Sequence, residues 1–290
     1  MVAVSSLPFW KRSTALQSVT AHGATIPVIG FGTWDIRGDD AARSVAEAIK
    51  IGYRHIDTAS GYHNEDKVGE GIRASGVARN DLFITTKVSP ENLEDKAFKA
   101  SVERSLKFLG IDQLDLVLIH WPNRSLGVAP TIASLNAVKQ SGWTRHIGVS
   151  NHPVKLLDEA WAATKEPLVT NQCEYHPYLN QEKLIAACWA KGMIFTAYSP
   201  LGRQAVLSDP VISDIAKKKG KTPAQVVLRW DIQQDGITTI PKSSKPANIR
   251  SNFDIFGFSL DAGEMTAISA LSKTHKTRVA DPGAGGPEWD

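Results

Sequence analysis

Cysteine occurs only twice in these 290 residues, at Cys173 and Cys188. Two thiols at that spacing are too few for a disulfide framework and match no metal-ligand pattern, so buried free thiols in a reducing, cytoplasmic setting are expected, with no metal site. Long apolar runs are missing as well. Lys, Arg, Asp or Glu interrupts every stretch before it reaches the about 18 residues of a membrane-spanning helix, so no membrane partner is expected. At the N-terminus the apolar pieces 1–4 and 7–10 precede Lys11 and Arg12, the reverse of the order in a secretory signal. Charge of one sign is scarce, 33 Lys and Arg against 30 Asp and Glu leaving only +3. The densest basic run, Lys217, Lys218, Lys219 and Lys221, falls where a helix should end and where cations favour its dipole, so no nucleic acid partner is expected either. No linker rich in Gly, Ser or Pro divides the chain, and its composition, 42% hydrophobic and 22% charged, is that of a folded globular protein. Residues 1–290 therefore read as one domain.

What the sequence does contain is alternation. Short β-branched or apolar runs at 28–31, 54–57, 82–87, 114–120, 144–149, 169–172, 193–197 and 238–240 read as strands, several apolar throughout as strands buried on both faces should be. Helical patterns lie between them: Ala42, Val45, Ala46 and Ile49 share one face, and Phe98, Val102, Leu106 and Leu109 share another. Thr222, Pro223 and Gln225 supply an N-cap, a proline at the first helical position and a capping-box partner, predicting a helix through Val226, Val227 and Trp230. A further helix is expected around 211–218. Eight strand and helix repeats predict a (β/α)8 TIM barrel with two additional helices and an N-terminal β-hairpin turning at Gly23. A doubly wound open sheet should begin with Gly-x-Gly-x-x-Gly, and the segment 30–35 lacks the third glycine. The N-terminal stretch and the tail 281–290 are expected to pack on the barrel's ends.

Active sites of such barrels form where the strands end. Asp57, Lys87 and His120 close the second, third and fourth predicted strands, and Tyr62 follows Asp57 in the next loop. A tyrosine, with a reference pKa of about 10, exchanges protons poorly at neutral pH unless a cation stabilises its phenolate. Lys87 can be that cation, Asp57 its counter-charge, and a neutral His120 a hydrogen-bond donor to a carbonyl. Taken singly, each has a plain structural reading: an ion pair, a core histidine, a loop tyrosine. Their common position at strand ends favours acid–base chemistry.

The chain resembles the aldo-keto reductases over nearly its whole length, from Gly30-Phe31-Gly32-Thr33-Trp34 to Pro287-Glu288-Trp289-Asp290. The family pattern appears at Asp57-Thr58-Ala59, Gly61-Tyr62-His63-Asn64-Glu65, Thr86-Lys87 and His120-Trp121-Pro122. By resemblance, Asp57, Tyr62, Lys87 and His120 form the catalytic tetrad. The same resemblance places a nicotinamide cofactor against Gly32, Thr33, Trp34, Ser150, Asn151, Gln172, Tyr198, Ser199, Leu201, Gly202, Pro241, Lys242, Ser243, Ser244, Asn248 and Asn252. Ser150, Asn151 and Gln172 match the carboxamide-binding positions and Tyr198 the ring-stacking one. From the residues alone, Ser150-Asn151 would read as a helix cap and Tyr198-Ser199-Pro200 as a turn.

Two departures bear on cofactor and substrate. Members preferring the phosphorylated cofactor usually carry an Arg six residues after the Lys of the Lys-Ser pair; here that position is Asn248. Arg250 lies about 200° around a helix from it and cannot substitute simply. NADPH is expected to be favoured, weakly, with NADH as the alternative. The loops 122–130 and 203–208 are short, implying an open pocket, with Trp34 and Trp121 as an apolar wall. The expected activity is reversible reduction of a small-molecule aldehyde or ketone by a monomer, with Tyr62 as acid. Rival readings are a nicotinamide-binding sensor or regulatory barrel with little turnover, and a phosphate-binding isomerase or aldolase using Lys87 as a Schiff base.

Overall fold

A computed structural model describes residues 17–282 and 286–290. The leading pieces with Lys11 and Arg12, and residues 283–285 of the tail, lie outside the described residues.

Two short antiparallel strands open the structure, β1 (Ser18–Ala21) and β2 (Ala24–Pro27). Both turn residues have positive φ, 47° at His22 and 84° at Gly23, the requirement of a hairpin turn that matches the twist of its strands. The hairpin packs near the start of a later strand, His22 Nε2 bonding to the carbonyl of Lys191 at 2.9 Å.

The barrel follows: β3 (Phe31–Gly32), β4 (His55–Asp57), β5 (Phe83–Val88), β6 (Leu114–Ile119), β7 (Thr144–Ser150), β8 (Leu168–Glu174), β9 (Ile194–Tyr198) and β10 (Ile237–Thr239), all parallel and in sequence order. Closure comes from backbone hydrogen bonds between the first and last strand regions: Gly30 N–H to the Thr239 carbonyl at 2.8 Å, Thr239 N–H to Val28 at 2.9 Å and Gly32 N–H to Pro241 at 3.0 Å. Glycine is required at Gly30, since a Cβ there would stand 2.6 Å from His55 Nδ1. The first strand differs from the expected 28–31: ladder pairing is confined to 31–32, with Ile29 bridging Thr239. Every residue of β5, β6 and β8 is buried, as strands covered on both faces must be.

Ten α-helices occur among the described residues: α1 (Asp39–Ile51), α2 (Glu65–Ala74), α3 (Asp95–Leu109), α4 (Val128–Gln140), α5 (Val154–Ala163), α6 (Glu182–Ala190), α7 (Pro210–Lys219), α8 (Pro223–Gln233), α9 (Pro246–Phe253) and α10 (Ala262–Thr274). The predicted inner faces are turned inward, Val45 and Ile49 on α1 and Phe98, Val102 and Leu109 on α3 being buried. The capping box at Thr222 and Gln225 is formed as expected. Lys217, Lys218 and Lys219 fill the last turn of α7, and Lys218 and Lys219 pair with Glu264 of α10. The basic run thus stabilises a helix end. The loop expected over 122–130 stops earlier, because Pro130 falls in the first turn of α4, where no backbone donor is needed. No described helix is long and apolar enough to cross a membrane.

Candidate active site

The strands end around a cavity of about 450 Å³. Asp57 is the last residue of β4, Lys87 the penultimate residue of β5, and His120 follows β6, its N–H continuing the ladder to Val88 at 2.9 Å. A short 3₁₀ turn, Ser60–Tyr62, brings the tyrosine back over Lys87. The sequence-predicted group is therefore brought together, and its hydrogen bonds assign each member a state.

Lys87 is buried, and its ammonium has three donors and no acceptor. All three are used: Asp57 Oδ1 at 2.5 Å, the Thr58 carbonyl at 3.0 Å and the Tyr62 hydroxyl at 3.3 Å. Since Lys87 only donates, the Tyr62 oxygen accepts, which leaves its own proton free to point into the cavity. The second oxygen of Asp57 accepts from Gln172 Nε2 at 2.8 Å. His120 stands edge-on to Tyr62, ring centroids 5.5 Å apart.

The electrostatics follow from burial and these neighbours. Desolvation raises the Tyr62 pKa above its ordinary value, and Lys87 counteracts only part of that rise. Tyr62 is thus an acid that keeps its proton until something draws it away. For Lys87, desolvation opposes the charge, but Asp57 and then Tyr62 outweigh it and the pKa is raised. A Schiff-base lysine must be neutral to attack, so this arrangement opposes the aldolase reading. Burial, with help from Lys87, holds His120 down at about 3, leaving a neutral imidazole that can donate one N–H.

Of the residues expected to meet a cofactor, Gly32, Trp34, Ser150, Asn151, Gln172, Tyr198, Ser199 and Lys242 line the cavity. Asn151 ties the floor together: its amide donates to the His120 carbonyl at 2.9 Å and to Ser150 Oγ at 3.1 Å, and its oxygen accepts from the Tyr198 hydroxyl at 2.8 Å. Asn151, Ser199 and Arg203, all in the cavity lining, hold positive φ of 60°, 50° and 50°, a conformation unfavourable for residues with a side chain. The remaining expected residues lie outside the lining. Thr33 is buried with its hydroxyl on the Asp57 carbonyl at 3.0 Å, Pro241 joins the barrel closure, Leu201 and Gly202 enter a 3₁₀ turn, and Asn252 is buried on α9. Ser243, Ser244 and Asn248 stand at the start of α9, whose N-cap, Lys245, provides no side-chain cap. Arg250 pairs with Glu47 of α1 at 3.0 Å. A donor set of hydroxyl and amides, with an aromatic ring beside it, fits a nicotinamide carboxamide. Trp34 and Trp121 both line the cavity, Trp34 with the Arg203 guanidinium 4.9 Å from its ring.

The tail 281–290 was expected on a barrel end, but sequence reasoning gave no place in the site to Val279, Ala280, Asp281 and Pro282, which form one wall of the cavity. No periodicity or spacing connects them to the strands. Both cysteines are free and buried, and among the described residues no cluster of His, Cys, Asp or Glu is placed to hold a metal.

The model of the Aldo/keto reductase family matches residues 28–273. Glyoxal reductase of Bacillus subtilis (strain 168) is 43% identical over 256 residues, covering 88% of this chain and 92% of that protein. Methylglyoxal reductase DkgB of Escherichia coli O157:H7 is 42% identical over 270 residues, covering 91% and 99%. The crystal structure of a Bombyx mori aldo-keto reductase in complex with NADP superposes with a TM-score of 0.85 at 33% identity, covering 93% of this chain and 96% of that one. The chain belongs to the aldo/keto reductase family: it is a (β/α)8-barrel oxidoreductase that reduces carbonyl groups of small molecules with a nicotinamide cofactor. The sensor reading finds no support among these relatives.

Proposed function

We propose that the chain is an NADPH-preferring reductase of small aldehydes and ketones, α-oxoaldehydes such as methylglyoxal among them, working through Tyr62 as general acid. The observation that carries this reading is the hydrogen bond from Lys87 to the Tyr62 oxygen, which aims the phenolic proton into the cavity. The reduced nicotinamide, when bound, supplies the hydride. Ser150, Asn151 and Gln172 hold its carboxamide and Tyr198 its ring, while Gly32, Thr33, Trp34, Ser199, Leu201, Gly202, Pro241 and Asn252 shape the groove. Lys242, Ser243 and Ser244, beside Asn248 and the uncapped N-terminus of α9, meet a 2′-phosphate through charge, hydroxyls and helix dipole. His120, neutral, donates its N–H to the substrate carbonyl oxygen and orients it. As negative charge grows on that oxygen, Tyr62 gives up its proton, and the ammonium of Lys87, held by Asp57, stabilises the phenolate left behind. Trp34 and Trp121 exclude water from the carbonyl carbon. The relatives named for glyoxal and methylglyoxal support the substrate class, and the NADP complex supports the cofactor. Trp34 and Phe108 are the large apolar side chains exposed among the described residues, too few for an extensive apolar interface, in keeping with a monomer.

The test follows oxidation of NADPH and of NADH at 340 nm with methylglyoxal, glyoxal, aryl aldehydes and ketones. Carbonyl-dependent oxidation, faster with subsaturating NADPH than with equal NADH, is expected. Absence of turnover across the panel would overturn the reading.

A further inference from the structure

Glu174, the last residue of β8, is fully buried, yet it belongs to no part of the cluster around Lys87. Its carboxylate is spent on the far end of the chain. Oε1 accepts from the Val279 N–H at 2.7 Å and Oε2 from the Ala280 N–H at 2.7 Å. Oε1 also accepts from His176 Nε2 at 2.9 Å. The direction of that bond is fixed by the other ring nitrogen, since His176 Nδ1 accepts from the Tyr178 N–H at 3.3 Å and Nε2 must carry the proton.

A buried carboxylate is costly unless donors replace its hydration, and here two of the three donors are backbone amides 105 and 106 residues away. On the barrel side, among the described residues, the carboxylate holds only His176. What the carboxylate does hold is the backbone at 279 and 280, and residues 279–282 line the same cavity as Tyr62, His120 and Trp121. The same segment is tied on either side. Arg278 lies 3.6 Å from the Trp289 ring, which meets Trp121 edge-on at 6.2 Å, and the Asp290 carboxylate accepts from the Val154 N–H at 3.0 Å, at the start of α5.

We propose that Glu174 is a positioning residue that, through these two amides, holds the C-terminal segment as a wall of the substrate pocket and so sets which substituents on the carbonyl are accepted. The inference rests on the carbonyl-reductase reading above. It separates the fixed floor, where the proton moves, from a pinned wall that governs fit. Releasing the pin therefore weakens binding of substrates long enough to touch the wall and leaves the proton-transfer step intact.

The test uses full-length Glu174→Gln, which turns an amide group toward the backbone donors, and Glu174→Met, which removes both acceptors while keeping the side chain's length. KM and kcat are measured with NADPH for methylglyoxal and for the bulkier phenylglyoxal, and amide hydrogen exchange is followed at 279 and 280. Both variants are expected to raise the phenylglyoxal KM by about tenfold, the loss of a charge-assisted hydrogen bond, with kcat for methylglyoxal within about twofold of the parent. Faster exchange in Glu174→Gln is expected at both amides. Unchanged KM values, or equal losses for both substrates in both variants, would overturn the proposal while the parent's turnover still supported the reductase reading; a parent inactive toward both would overturn that reading itself. Glu174→Met carries the test if Glu174→Gln does not fold.

Discussion

The adenosine end of the cofactor site is where this chain departs from the pattern it otherwise follows, and Asn248→Arg tests the departure. Asn248 is exposed on the first turn of α9, beside Ser243, Ser244 and the exposed Lys242. Arg250, the nearest guanidinium in sequence, is held by Glu47 on α1 and contributes nothing on that side. A lysine offers a phosphate a point charge, whereas a guanidinium offers two parallel donors. A charge-assisted hydrogen bond is worth about 1.5–3 kcal/mol, and exposure and screening at this position reduce the gain to about 1–2 kcal/mol, or roughly 5- to 30-fold in Kd. NADH, without a 2′-phosphate, should bind as before. The assay is fluorescence titration of parent and Asn248→Arg proteins with both cofactors, using quenching of Trp34 and the other tryptophans near the cavity; Arg250→Ala serves as a control that should leave NADPH affinity unchanged. Equal tightening toward NADPH and NADH, or a parent that binds NADH more tightly, would refute the placement of the adenosine end.

Three further outcomes are expected. Lys87→Met removes both the counter-charge of Asp57 and the attraction that lowers the Tyr62 pKa, so kcat should fall by about 10² or more, and the unpaired buried carboxylate should cost about 3–5 kcal/mol of stability in denaturant titrations; an active variant of parental stability would contradict that role. Burial holds His55 at about 4 against an ordinary 6.5, so it contributes stability that is present above pH 6.5 and lost as the pH falls toward 4, amounting to about 3 kcal/mol. Urea unfolding at pH 7.5 and 4.5 should show a smaller acid loss in His55→Gln than in the parent, and identical losses would remove His55 from the account. Burial raises the Asp231 pKa well above the carboxylate range, with Thr239 Oγ1 at 2.8 Å its hydrogen-bond donor; stability present at low pH is lost as the pH rises through that value. Asp231→Asn should therefore raise Tm at pH 8 and lose the advantage near pH 4, and a lower Tm at pH 8 would contradict the sign.

Asp57, Lys87 and His120 were legible because parallel strands in sequence order put their last residues on one rim, so three strand ends are neighbours wherever the loops go. Apart from the family resemblance, Tyr62 was legible only through its nearness to Asp57, since nothing in the spacing shows that a 3₁₀ turn folds it over Lys87. Helical angle alone set Arg250 apart from Asn248, and the partner it takes instead, Glu47, lies 203 residues away and was not legible. The limits of the first strand were not legible, since its ladder begins at Phe31 and Ile29 makes only an isolated bridge to Thr239. The wall at 279–282 and its anchor Glu174 were invisible because the link is a carboxylate meeting two backbone amides, which carry no side-chain signature. The state of Lys87 also required coordinates, because only the three acceptors around its ammonium show that it is a charged partner of Tyr62.

The account stands on the phenolic proton of Tyr62, and its most direct test is steady-state reduction of methylglyoxal by Tyr62→Phe with NADPH, alongside the cofactor Kd. The substitution keeps the ring beside His120 and removes only the hydroxyl that accepts from Lys87. A fall in kcat of about 10² or more with Kd for NADPH unchanged is the result predicted. Turnover near the parental rate would contradict the assignment of Tyr62 as the acid and, with it, the mechanism built on Lys87 and Asp57.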